Sequence, residues 1–115
     1  MTQKILTIYG DRGWNPPDPD YCENSIVRGF ESLNEIIQTM SEINNLKIHS
    51  LSYSNILRPT HEIGGTVLTL YATLIYSGDI TNIDGFPWSD DMKSSVRDWK
   101  QHFLKGNTIA LKAYL

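Results

Sequence analysis

Residues 66–78, TVLTLYATLIYSG, constrain this chain more than any other stretch. β-Branched and aromatic residues fill the run, and Gly64-Gly65 and Gly78-Asp79 bracket it, as expected of a strand between two turns. Successive side chains of a strand point to opposite faces. One parity carries Leu68, Leu70, Ala72 and Leu74, the other Val67, Thr69, Tyr71, Thr73 and Ile75. Only one of these faces can meet helices, and the other is too apolar for a freely solvated surface.

The other elements arrange around it. KILTIY (4–9) reads as a strand that stops at Gly10. A helix from about Tyr21 to Ile43 follows, because Ile26, Phe30, Leu33, Ile37 and Met40 recur at steps of three and four. Asp20 and Glu23 have capping-box spacing at its start, and Asn44-Asn45 ends it. LKIHSLSYSNIL (46–57) is a second strand whose alternation changes phase, which predicts a β-bulge near His49-Ser50. It pairs with 66–78 as a hairpin through the turn at 58–65. Ser89 caps a second helix with the apolar stripe Met92, Val96, Trp99 and Phe103, closed near Gly106. In 108–115, Ile109, Leu111, Ala113 and Leu115 alternate, which favours a fourth strand over more helix. The order β-α-β-β-α-β predicts a single α+β domain over 1–115. Its expected form is a four-stranded antiparallel sheet with two helices on one face, the ferredoxin-like arrangement.

That arrangement leaves the second sheet face without helices. Tyr9, Val67, Tyr71 and Ile75 lie on it, and apolar faces of this kind mark partner surfaces. Self-association into a homo-oligomer through this face is the first expectation. A nucleic-acid platform built on Tyr9 and Tyr71 and covering by the segments 10–25 and 79–88 are the alternatives. The net charge of −3 argues against a duplex nucleic-acid binder. One cysteine, Cys22, fits a reducing compartment. No run approaches the 18 or so apolar residues of a membrane span, and MTQKILTIYG lacks the pattern of a signal peptide. The expected location is cytoplasmic, the host cytoplasm for a phage-encoded protein.

Chemistry-bearing motifs are sparse. The acids of GDRGWNPPDPDYCENS (10–25) miss the calcium-loop spacing, and His49, His61 and His102 have no short metal spacing, so no metal, cofactor or catalytic set is expected. GDRG lacks the phosphate-loop signatures and reads as a tight turn. A small hydrolase or transferase using Asp11, His61 and Glu62 is the least favoured alternative. Arginines beside aromatics in irregular segments are more suggestive: Arg12 with Trp14, Arg58 with His61, and Phe86 with Trp88. Guanidinium forks grip phosphate and flat rings stack on bases. These six residues are the predicted ligand site. Arg28 and Arg97 are further candidates for phosphate.

The strand pair ending in YATLIY (71–76) resembles small sporulation and phage proteins in which a strand and a helix precede such a hairpin. In size and layout the chain also resembles phage anti-defence proteins that oligomerise and sequester nucleotide immune signals. That resemblance implies a non-enzymatic binding protein for a phosphate-bearing, nucleotide-like ligand. A protein–protein adaptor or inhibitor acting on a macromolecular partner is the main alternative.

Overall fold

The computed structural model describes residues 2–60, 65–94, 101, 103, 105 and 109–115. Along the chain it forms β1 (Lys4–Gly13), α1 (Pro19–Asn44), β2 (Lys47–Pro59), β3 (Thr66–Ser77), α2 (Asp90–Ser94) and β4 (Ile109–Lys112). The sheet order is β2-β3-β1-β4, with β1 and β3 in the interior. No described helix is long and apolar enough to cross a membrane.

The fully antiparallel, ferredoxin-like sheet is not what forms. β3 is antiparallel to both β1 and β2, but β4 runs parallel to β1, Leu6 beside Ile109 and Tyr9 beside Lys112, so the sheet is mixed. The cause lies in residues 79–88. They do not hand β3 straight to a helix. They start beside the C-terminal end of α1, where Asn44 binds Thr81 and Asn82. They finish at the opposite end of the sheet, where Trp88 bridges Ala113 and the Ser89 amide donates to the Lys112 carbonyl. An irregular segment thus makes the trip along the sheet that a helix was expected to make. α2 begins at the far end, and the chain re-enters as β4 beside Leu6, in the same direction as β1.

The segment GDRG is strand rather than turn. Asp11, Arg12 and Gly13 continue β1 opposite Thr69, Leu68 and Val67. The connector shrinks to residues 14–18, where Asp18 is the helix cap instead of Asp20. Its Oδ1 accepts the Tyr21 amide at 3.1 Å, and Pro19 opens the helix, where its missing N–H costs nothing. At the other end Asn45 adopts a left-handed conformation (φ 52°), and the Leu46 amide reaches back to the Ser41 carbonyl at 2.9 Å. The predicted bulge is present as a register shift between Ile48 and Ser50.

α1 packs on β1, β3 and β2. Leu33, Ile37 and Met40 of the expected stripe are buried, while Ile26 and Phe30 are half-buried and Ser25 and Gly29 take the innermost positions of the N-terminal half. Small residues there let the helix approach the sheet. A methyl group at Gly29 would collide with Leu70 Cδ1. Against α1 lie Leu6, Ile8, Leu68, Leu70, Ala72, Leu74 and Tyr76, all nearly inaccessible. Each such aliphatic side chain contributes about 1.5–3 kcal/mol by leaving water. Ile80, Ile83, Trp88, Met92, Phe103, Leu111 and Ala113 extend the same core past β1. Val96, Trp99 and Gly106 of the second helix lie outside the described residues.

Candidate functional site

Register places one row of side chains on the face opposite α1. Across the sheet, Ser52, Thr73, Thr7 and Ala110 form one line, and Ser54, Tyr71, Tyr9 and Lys112 the next. Thr7 and Thr73 share a hydroxyl hydrogen bond of 3.0 Å. Tyr9 and Tyr71 lie face to face, 5.7 Å between ring centroids and 19° between planes. Both rings are half-buried, and Ile5 and Ile56 on the same face are 41% and 50% exposed. The segment 79–88 does not cover this face. It packs beside α1 on the other side.

One step further along the strands, charges converge on Asp11. Thr69 Oγ1 donates to Asp11 Oδ1 at 2.6 Å, and Arg58 Nη2 donates to the same oxygen at 3.0 Å. Arg58 Nε donates to Thr69 Oγ1 at 2.8 Å, closing a ring, while Lys112 Nζ lies 3.4 Å from Asp11 Oδ2. Partial burial pushes the Asp11 carboxyl up, but the Thr69 hydrogen bond, the Lys112 charge and the Arg58 hydrogen bond outweigh it, and the net pKa is lowered. Asp11 is therefore an anion at neutral pH, holding two cations from opposite edges of the sheet. Hollows of about 220 and 410 Å³ flank Lys112, the first bordered by Tyr9 and Asp91, the second by Asp11 and Asp90.

Among the described residues, the predicted ligand residues form no single cluster, and only Phe86 and Trp88 meet. Arg12 projects to the α1 face, its stem packed over Gly29, and Trp14 packs half-buried against the core. Arg58 is on the opposite face with Asp11. Trp88 is a core residue whose Nε1 donates to the Ile83 carbonyl at 2.7 Å. Phe86 tilts against it at 5.5 Å and lines a separate cleft beside α1. His61, with Glu62 and Arg97, lies outside the described residues. Cations near stacked aromatics occur instead at Tyr9, Tyr71, Arg58 and Lys112. The signal for it was parity: Thr7, Tyr9 and Asp11 continue one alternation once GDRG is read as strand. Among the described residues no three His, Cys, Asp or Glu side chains converge.

No family model, curated protein or solved structure matches this chain.

Proposed function

We propose that this protein works by binding, and that its ligand surface is the open face of the sheet, holding a phosphate-bearing, nucleotide-like molecule. The observation that carries this reading is the stacked Tyr9–Tyr71 pair, adjacent in register to Lys112 and one row from Asp11 and Thr69, which hold the Arg58 guanidinium. Flat rings on central strands offer a base a surface at little entropic cost, since the sheet already holds them. Lys112 and Arg58 supply two cations, both held in place by the carboxylate of Asp11 and able to turn toward a phosphate. Asp90 and Asp91, bordering the hollows, disfavour a polyphosphate and favour one phosphate group. The overall acidity disfavours duplex nucleic acid in the same way.

Isothermal titration of the full chain against mononucleotides, cyclic nucleotides and short single strands tests this. Stacking on a protein ring is worth about 1–3 kcal/mol per base, so Tyr71→Ala should weaken the best ligand about tenfold or more. Absence of binding by every member, or equal binding by Tyr71→Ala, overturns the reading.

A second reading, self-association through the same face, is favoured by Ile5 and Ile56, which are large, apolar and exposed on it. Native mass spectrometry separates the two. A concentration-independent dimer lost in Tyr71→Arg supports assembly, and a monomer at all concentrations rules it out.

A further inference from the structure

The cleft between α1 and the segment 84–87 has chemistry opposite to that of the open sheet face. It encloses about 460 Å³, within the range of about 300–1,000 Å³ in which small-molecule sites fall. Ile36 and Phe86 supply its apolar lining, and Ile43 and Tyr114, 49% and 56% exposed, stand at its rim. Glu35 from the helix and Asp84 from the segment also line it. Neither carboxylate forms an ion pair with a described residue, and no described lysine, arginine or histidine lines the cleft.

Its wall is fixed in advance. Asn44 binds the backbone of Thr81 and Asn82 at one end. Trp88 Nε1 holds the Ile83 carbonyl, and the Tyr114 amide donates to the Pro87 carbonyl at 2.6 Å at the other. Ile80 and Ile83 are buried beneath the segment. Gly85 turns it at φ 85°, and nothing stands within 4 Å of where its side chain would begin, so the mouth stays open. A pre-formed cleft does not spend ligand affinity on ordering a loop.

We infer that this cleft is a second binding site, for a small organic ammonium ligand with an apolar or aromatic body. The apolar part fills the space over Ile36 and Phe86. The ammonium group meets Glu35 and Asp84 and the faces of the neighbouring rings, which attract cations through their quadrupoles. An anionic ligand meets two uncompensated carboxylates and is rejected, so the nucleotide proposed for the sheet face does not compete here. The two assignments stand independently.

Three probes of one shape test it: phenethylamine, phenethyl alcohol and hydrocinnamate, which are cationic, neutral and anionic at pH 7. They are titrated into the full chain and followed by amide and methyl NMR shifts. Phenethylamine should bind tightest and shift Ile36, Ile43 and Phe86. The double variant Glu35→Gln/Asp84→Asn should weaken phenethylamine about tenfold and leave the alcohol unchanged. Both positions are exposed, and an unchanged melting curve separates lost binding from lost fold. Hydrocinnamate binding as well as phenethylamine, unchanged phenethylamine affinity in the double variant, or no shift at the cleft residues overturns the assignment. Nucleotide titrations of the same variant should match the parent chain, so the two sites fail or succeed separately.

Discussion

The side chain of Asn44 grips the backbone of Asn82 at both ends. Its Oδ1 accepts the Asn82 amide at 2.9 Å, and its Nδ2 donates to the Asn82 carbonyl at 2.8 Å. The same Oδ1 takes the Thr81 amide at 3.0 Å, and the same Nδ2 reaches the Met40 carbonyl at 3.0 Å. One carboxamide at the end of α1 thus replaces the strand partner that residues 81 and 82 lack, and it sets the start of the segment that redirects the chain.

Asn44→Ala should cost about 1–2 kcal/mol, the sum of several partly exposed hydrogen bonds that water replaces imperfectly. Hydrogen exchange at Thr81 and Asn82 should accelerate well beyond the change in global stability. Asn44→Asp keeps the acceptor and loses the donor, so it should fall between the two. Equal exchange in all three proteins would show that the segment is held by Ile80, Ile83 and Trp88 alone.

Asp11 should make stability depend on pH at the acid end. Its folded pKa is lowered, so its contribution is fully present above the unfolded value of about 3.9 and is lost as pH falls through the folded value. Denaturant melts of the parent chain and Asp11→Asn should differ most near neutral pH and converge once pH has fallen below the folded value. The difference should also shrink with salt, since Arg58 is partly exposed.

Tyr76 offers the reverse case. Burial, and then the Asp79 charge, push its phenol up to about 12. A raised folded pKa contributes stability that is complete below the unfolded value of about 10 and disappears as pH rises through the folded one. Ultraviolet titration should show one tyrosine ionising about two pH units after the exposed ones, and Tyr76→Phe should abolish that late step.

Gly10 packs closely against residues 113–115. A Cβ there would strike the Ala113 carbonyl oxygen and sit 2.6 Å from Leu115 Cγ. Backbone cannot rotate away as a side chain can, so Gly10→Ala should destabilise by about 3 kcal/mol. The Ala113 amide, which donates to the Tyr9 carbonyl at 2.8 Å, should lose exchange protection. A neutral substitution would mean that residues 113–115 relax freely.

Local pattern was enough for several elements. The β-branched and aromatic run between two glycine turns marked β3, the three-four spacing of Leu33, Ile37 and Met40 marked the buried side of α1, and the broken alternation at His49-Ser50 located the bulge. Each follows from the geometry of one segment: a period of two or 3.6 is written into the residues themselves. The end of β1 was less legible. Gly10 and Gly13 look like turn residues, yet they sit in a strand because Val67 to Leu70 continue past them and offer partners.

Strand direction and the sites are of a different kind. The alternation of Ile109, Leu111, Ala113 and Leu115 reads the same whichever way β4 runs, so residue order alone determined that a strand was there and which side was buried. Its parallel pairing with β1 was decided by Asn44 and Trp88, which anchor residues 79–88 at opposite ends of the sheet and send the chain back from the far side. The ligand surface was decided likewise. Arg12 and Trp14 are neighbours in sequence, but Arg12 faces α1, whereas Arg58 and Lys112, 54 positions apart, meet at Asp11 across β3, β1 and β4. Hydrogen bonding between strands sets which distant side chains share a face, and no local pattern carries that information.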